Sequence, residues 1–337
     1  MPTPTTWPSA KAVVGMAEET TQGTPVTTLT ATLPCDTFEV EDKPVWLYDN
    51  AIRQAMTQNY NMIQGPLITE LSGGGPVFFN VIPLLLRNIF GALATTGPVS
   101  SAYTHTASLL NSGTGQPGSL TMVQWQGLTG TSFSRMFAGV CLSELVLKGN
   151  PESSLVECSW KALGFPSADF PSAPPTFPAN TDFPLAAWRT AIGIGGTAVG
   201  APVRTIREWE VTITRELKAI FTSQNSQSPY IIQRGKLTST GSMNFAAPSD
   251  ETPLDYLLNN TQPQSQIVVT NGAAAAALRS MTIDRQQTGF DTQKISTGEE
   301  AIAYNGTTVA IANTTNVGAS GGYGPLTVAV VNATASY

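Results

Sequence analysis

The chain has 337 residues, enough for two ordinary domains with a core each. Charged residues make up only 12% of it while hydrophobic residues make up 41%, which excludes a disordered chain and favours a subunit whose surface is mostly interface over a polar, stable monomer. The net charge of −6 and the lack of a basic run argue against tight binding of a nucleic-acid backbone.

Residues 1–34 are rich in threonine and proline and predict an extended arm, with at most a short strand at Lys11–Ala17. Such an arm loses entropy on ordering, so we expect it to dock on a neighbouring subunit. The first residues lack the charged and apolar segments of a secretory signal, and no segment reaches the ~20 apolar residues of a membrane helix. We therefore expect a protein without a membrane anchor, made in a reducing cytoplasm.

Two short amphipathic helices are predicted, at Val81–Thr95 and Thr252–Leu258. Apolar residues recur in the first at helical spacing, and Asn80 is placed to cap its start. In the second, Thr252 is placed as a cap before Pro253, a typical first-turn residue. We expect the apolar stripes of both helices to pack against a sheet.

The same order of elements occurs twice: a strand leads into a short helix, and further strands follow. The first series has strands at Pro76–Phe79, Ser119–Gln126, Arg135–Lys148 and Ser153–Leu163, and the second has strands at Lys236–Phe245, Ser265–Thr270, Leu278–Arg285 and Ala301–Ile311. Many short alternating strands with Gly, Pro and Asn turns predict a mainly β fold of sandwiches or barrels. A duplicated β module is typical of a building block for rings rather than of a one-site enzyme.

A segment rich in proline and phenylalanine, 165–202, separates the two series. Proline blocks both helix and central strand, so we expect an extended spacer. Its phenylalanines, Phe165, Phe170, Phe177 and Phe183, indicate that it packs along a surface. The predicted organisation is therefore an extended N-terminal arm (1–34), a first module (35–164), the spacer (165–202) and a second module (203–337).

The segment Arg207–Glu216 has the alternation of a half-buried strand. Its expected inner face carries Trp209, Val211 and Ile213. Its expected outer face is acidic and rich in hydroxyl groups, and carries Glu208, Glu210, Thr212, Thr214 and Glu216.

No catalytic or metal-binding constellation is visible. The sole histidine, His105, is expected to be structural, and Gly193-Ile-Gly195 lacks the helix that a dinucleotide fingerprint requires. The three cysteines lack metal-ligand spacing, and we expect free thiols, although a hairpin near Gly149 would set Cys141 opposite Cys158. We expect no enzyme and no cofactor.

The segment from Gly15 to Val26, GMAEETTQGTPV, resembles the opening of tail tube proteins (major tail proteins) of long-tailed, siphovirus-type bacteriophages. The similarity continues in order through Gly91-Ala-Leu93, Tyr103-Thr-His105 and the strand that starts near Val203. It covers most of the chain, and the order of its motifs carries more weight than any single motif. The Phe- and Pro-rich spacer is not typical of that family.

The resemblance implies two tandem tail-tube-type β-sandwich modules, each with one short flanking helix, whose inner sheets join into a ring-wide β-barrel. Rings of six modules would stack into the phage tail tube, through which DNA passes into the host. Because this chain has two modules, a trimer is favoured over a hexamer. The implied partners are other copies of the chain, other phage tail proteins and DNA in transit, in the tail of a virion assembled in host cytoplasm.

For a channel, the outer face of Arg207–Glu216 is the candidate lining, since acidic and hydroxyl groups let DNA slide. The alternative is that its glutamates pair with Arg204, Arg207 or Arg215 at a contact between subunits or rings. A different class of function, a β-rich capsid-decoration or adhesin-type binding protein, also fits a mainly β chain without catalytic groups.

Overall fold

The computed structural model describes residues 9–126, 134–152, 154–170, 176–246, 251–297, 301–318 and 321–337. The predicted mainly β fold is confirmed, with two short helices, α1 (Ile82–Phe90) and α2 (Thr252–Leu258). The strands are β1 (Val13–Glu18), β2 (Ala31–Thr32), β3 (Thr37–Asp49), β4 (Asn61–Pro76), β5 (Gly91–Val99), β6 (Ala102–Leu109), β7 (Leu120–Trp125), β8 (Ser134–Gly149), β9 (Glu157–Gly164), β10 (Ala168–Asp169), β11 (Thr190–Ile194), β12 (Ile206–Ile220), β13 (Ile231–Ala246), β14 (Ser265–Thr270), β15 (Ser280–Arg285), β16 (Thr288–Ser296), β17 (Ala303–Ala310) and β18 (Thr327–Asn332).

These strands form two antiparallel sheets. Eight strands of the larger sheet follow one another in the order β3-β4-β9-β8-β12-β13-β17-β16, and we call this set the long path. Strands β7, β1, β2 and β10 branch from the N-terminal half of β8. The smaller sheet has the order β11-β14-β15-β18-β6-β5. Within the described residues neither sheet closes on itself.

The two halves of the chain contain similar arrangements and share both sheets. A long hairpin precedes the helix in each half, β3–β4 before α1 and β12–β13 before α2. The second strand of each hairpin pairs with the second strand of a later hairpin, β4 with β9 and β13 with β17. Strands from opposite sides of the spacer also pair directly, β8 with β12 and β6 with β18.

Helix α1 begins where the sequence predicts but ends earlier. It stops at Phe90 because Gly91 adopts φ 99°, a left-handed conformation that breaks a helix and suits glycine. The residues predicted as its end form β5 instead. Neither predicted cap is correct: Val81 and Glu251 are the capping residues, and no side-chain cap bond is present at either helix.

One hydrophobic core joins the inner faces of both sheets to helix α1. Trp160 on β9 is at its centre, 2% exposed, and packs against Gly73 of β4. An added Cβ at Gly73 would lie 2.6 Å from the Trp160 ring, so this strand needs glycine where the indole crosses it. The predicted strand at Pro76–Phe79 overlaps only the end of β4.

The predicted arm and spacer both contribute to the fold of their own chain. Strand β1 lies within the region predicted as an arm, yet it pairs with β7 and buries Met16. In the spacer, β11 joins the smaller sheet, Phe170 is buried and Phe177 stacks on Trp125 with ring centroids 6.2 Å apart. Phe183 is the exception to the predicted packing, with 80% of its surface exposed.

Candidate functional surface

The alternation predicted for Arg207–Glu216 is confirmed in β12. Trp209, Val211 and Ile213 are buried in the core, at most 3% exposed. The five candidate residues lie on the opposite face of this strand. Glu208, Thr214 and Glu216 are exposed, and Glu210 and Thr212 are half-buried.

The polar face of β12 continues over the long path, because residues directly opposite each other in neighbouring strands share a face. We call this continuous surface the polar face. Its members, from β3 to β16, are Thr37, Glu39, Glu41, Glu70, Ser72, Gly74, Glu157, Ser159, Lys161, Glu144, Val146, Lys148, Glu208, Glu210, Thr212, Thr214, Thr238, Thr240, Ser242, Asn244, Asn305, Thr307, Val309, Thr292, Lys294 and Ser296. Glutamates outnumber lysines, and hydroxyl and amide side chains fill most other positions.

Ion pairs neutralise one part of the polar face and leave another part acidic. Between β8 and β9, Lys148 lies 3.2 Å from Glu157 and Lys161 lies 2.8 Å from Glu144. On β12, Glu208 accepts a 2.7 Å hydrogen bond from the Asn150 amide. Among the described residues, no ion pair involves the three glutamates of β12. The centre of the polar face is therefore anionic.

Two of the arginines considered as partners of these glutamates have other partners among the described residues. Arg207 forms an ion pair with Glu152 at 3.0 Å. Arg215 lies on the opposite face of β12 and is 4% exposed. Its guanidinium donates to the main-chain carbonyls of Ile89 and Phe90 at 2.8 and 3.1 Å. Burial lowers the pKa of Arg215 to about 10, which leaves it charged at neutral pH.

A second buried arginine, Arg285, contacts strands β13 and β17 on the side opposite to the polar face. It donates to the Ser239 and Thr308 hydroxyls at 3.1 Å and to the Thr240 carbonyl at 2.7 Å. Burial lowers its pKa to about 10. Sequence reasoning missed this residue. It continues the alternating buried positions of β15 after Met281 and Ile283, where a charged side chain must have partners within the protein.

An exposed apolar surface lies at the end of the β3–β4 hairpin. Strand β9 pairs with β4 only over Thr69–Pro76, so the rest of the hairpin extends beyond the sheet. We call this the apolar hairpin end; its exposed residues are Val45, Trp46, Leu47, Tyr48, Ile52, Met56, Met62 and Ile63. The Gln227 amide, from the β12–β13 turn, donates to the Gly65 carbonyl at 3.1 Å and holds the two hairpins together. Sequence reasoning missed this surface.

His105 and the three cysteines, which were considered for chemistry, are buried or half-buried in the fold. His105 is fully buried, within hydrogen-bonding distance of the Thr95 hydroxyl (2.9 Å) and the Thr334 carbonyl (2.9 Å). The predicted opposition of Cys141 and Cys158 is wrong, since Cys141 lies opposite Leu163. All three cysteines are free, and burial raises the pKa of Cys158 to about 12.

Two further findings concern binding. Within the described part of the chain, no cluster of three His, Cys, Asp or Glu side chains could hold a metal ion. In that same part, neither helix has the length and apolar character needed to cross a membrane.

A family of known proteins matches nearly the whole chain. A family model described as phage tail tube protein matches residues 9–330. Among solved structures, the SPP1 tail tube, determined by solid-state NMR and cryo-electron microscopy, is similar over 50% of this chain and 72% of that chain. The identity is 13% and the TM-score 0.23, too low to carry weight for the fold. No curated protein sequence matches.

Proposed function

The chain belongs to the family of phage tail tube proteins, and from this premise we propose that three copies form a ring, that rings stack into the tail tube, and that the polar face lines its channel. The observation that carries the proposal is the polar face itself. Eight neighbouring strands present one continuous hydrophilic side, while the central strands among them pack their other side into the core. A sheet with this division suits the wall of a water-filled tube.

The number three follows from the two halves of the chain. We interpret them as two modules, 35–164 and 203–337, with 1–34 as an arm and 165–202 as a spacer. The pairing of β8 with β12 joins the inner sheets of both modules side by side. If each ring needs six modules, as the family resemblance implies, three chains supply them. Closure of the sheet also removes exposed strand edges, which otherwise promote aggregation.

The chemistry of the polar face suits a channel for DNA. Unpaired glutamates on β12 repel phosphates, and the surrounding hydroxyl and amide groups hydrate the wall without binding a polyanion. The lysines of the neighbouring strands β8 and β9, Lys148 and Lys161, form ion pairs with glutamates. DNA would therefore pass along a channel wall that does not bind it on its way into the host.

Stacking of rings needs a second surface, and we assign it to the apolar hairpin end. Soluble monomers rarely expose a contiguous apolar patch of this kind. Trp46 is 42% and Leu47 51% exposed on a projecting hairpin. A neighbouring ring that covered them would remove this surface from water, at roughly 25 cal/mol per Å² buried. Assembly in the host cytoplasm with other tail proteins would then place the protein in the virion tail.

Electron microscopy of the purified protein tests the proposal. We expect rings, or tubes built from rings, with a central channel. A protein that stays monomeric at high concentration, even with the tail proteins that nucleate tube growth, would overturn it.

A further inference from the structure

The long path ends in two strands that each have one free edge. Within the described residues, β3 pairs only with β4, and β16 pairs only with β17. Unpaired edges expose main-chain N–H and C=O groups and are templates for another strand. A ring in which the long paths of neighbouring copies join into one wall must use these two edges, so their chemistry decides how the copies align.

The long hairpins of the two halves share a register shift at the same position, which allows one pairing to be transferred to another. The first hairpin has a register shift between Pro44 and Trp46, and the second has one between Arg215 and Leu217. Each shift skips one residue on the first strand of the hairpin and two on the second. In the first hairpin the shift lies as many residues from the pair Glu39–Ser72 as it lies from the pair Glu210–Ser242 in the second hairpin. β-Bulges are specific features of a strand rather than random defects. Strand β3 therefore corresponds to β12, with Glu39 at the position of Glu210.

Strands β8 and β16 also correspond to each other. Strand β8 has a register shift between Leu142 and Glu144 against β9, and β16 has one between Phe290 and Thr292 against β17. Aligned on these shifts, β16 corresponds to β8, with Thr292 at the position of Glu144. The pairing of β8 with β12 is thus a template, present within the chain, for pairing of β16 with β3.

We propose that β16 of one copy pairs antiparallel with β3 of the next, in the register that β8 and β12 adopt within the chain. In the β8–β12 seam, Lys148 lies opposite Glu210, Leu147 opposite Val211 and Val146 opposite Thr212. Transferred to the seam between copies, the register places Ser296 opposite Glu39, Ile295 opposite Val40 and Lys294 opposite Glu41. This inference rests on the proposed ring and specifies which edges form it.

The transferred register brings compatible side chains together. Lys294 and Glu41 are opposite charges on the polar face, and a cross-strand pair of this kind stabilises a sheet. Within the chain Glu41 lies 3.4 Å from Lys43, so Lys294 would be its second cationic neighbour. Ile295, 49% exposed in the single chain, meets Val40 on the core side, as buried Leu147 meets buried Val211. A shift by one residue would set Lys294 against Val40 and turn Ile295 towards the polar face.

An unpartnered amide lies at the next position of the same edge. Both the nitrogen and the oxygen of the Gln293 side chain are buried and have no hydrogen-bond partner among the described residues. A buried amide without partners is costly, so a partner outside the chain is expected. The transferred register sets Gln293 opposite Asp42. The Asp42 carboxylate already accepts hydrogen bonds from the Ser167 and Thr69 hydroxyls, and its remaining lone pairs can accept one from the Gln293 amide nitrogen.

Cysteine cross-linking tests the register. In a Cys35→Ser background, we would place Lys294→Cys with Glu41→Cys in one variant and Ile295→Cys with Val40→Cys in a second. The two pairs are adjacent, so that one of them occupies a non-hydrogen-bonded site, where side chains are closest. The matched control pairs Lys294→Cys with Thr37→Cys, on the same face of β3 but four residues away, at roughly 13 Å and beyond disulfide reach.

After mild oxidation, we expect at least one in-register variant to yield covalent dimers and trimers on a denaturing gel, and no species larger than three chains. The control should remain monomeric on that gel. If the unmodified protein forms rings but the control cross-links and the in-register pairs do not, the register is wrong and the ring stands. If the unmodified protein forms no rings, the proposed function fails together with the register.

Discussion

The guanidinium of Arg215 donates a 2.8 Å hydrogen bond to the main-chain carbonyl of Ile89, near the end of helix α1. This contact ties β12, in the second half of the chain, to the helix of the first half. The last carbonyls of a helix carry partial negative charge and lack hydrogen-bond donors within the helix. A buried guanidinium at this place supplies both a positive charge and the missing donors.

Replacement of Arg215 by alanine should therefore destabilise the protein strongly. The carbonyls of Ile89 and Phe90 would lose a buried donor, and the half-buried carbonyl of Gly115 would lose a donor as well. We expect the free energy of unfolding to fall by roughly 3 kcal/mol, measured by urea denaturation. The control is Lys218→Ala on the same strand, which is exposed and should change stability by less than about 0.5 kcal/mol. Equal effects of both variants would contradict this role for Arg215.

A charge in the apolar hairpin end should separate ring formation from stacking. In Trp46→Asp, a carboxylate would have to be buried wherever a neighbouring ring covers this hairpin, which is unfavourable. We expect rings of normal size but few or no tubes in electron micrographs. Val199→Asp, at a site that is 90% exposed outside the hairpin, should still form tubes. Normal tubes from Trp46→Asp would rule out this surface as the stacking contact.

Charge reversal on β12 should turn the channel wall into a DNA-binding surface. In Glu208→Lys with Glu210→Lys, assembled tubes should retain double-stranded DNA at ~50 mM salt and release it by ~200 mM, because phosphate binding weakens steeply with salt. The measurement is co-sedimentation of DNA with tubes. The matched control, Glu251→Lys with Asp255→Lys, changes two exposed carboxylates at helix α2 by the same charge. Equal DNA retention by both variants would mean that β12 does not line the channel.

The buried histidine should make stability depend on pH in the acidic range. Burial lowers the pKa of His105 below its ordinary value of 6.5, in spite of the hydrogen bond to the Thr334 carbonyl. The unfolded chain therefore binds a proton that the folded chain does not, so the free energy of unfolding should fall as pH decreases below 6.5. Urea denaturation at pH 7.5 and 5.5 should show a smaller loss for His105→Gln than for the unmodified protein. If the free energy of unfolding falls equally in His105→Gln and in the unmodified protein, His105 does not cause the fall.

Sequence patterns predicted the elements with clear periodicity. Helix α2 and strand β14 have the predicted limits, and β12 shows the predicted alternation, because in each case one face is continuously apolar. Helix α1 was predicted too long because Ala92 and Leu93 continue its apolar stripe, while the left-handed conformation of Gly91 leads the chain into β5.

The β3–β4 hairpin could not be predicted from alternation. Strand β4 contains Gly73 and the two glycines that follow it, which have no side chain to mark a face, and β3 contains Pro44. Its apolar end is exposed on both faces, so period two is lost there. The polar face was predicted only on β12, since its extension depends on pairing between strands that are far apart in the sequence.

The most direct test of a ring of three chains is the mass of the smallest closed oligomer, measured by native mass spectrometry. Two modules per chain predict a species of three chains, each of 35.5 kDa, with no closed species of six. Three chains would agree with a ring whose seams follow the pairing of β8 with β12. A smallest ring of six chains, or a monomer that never closes, would contradict it.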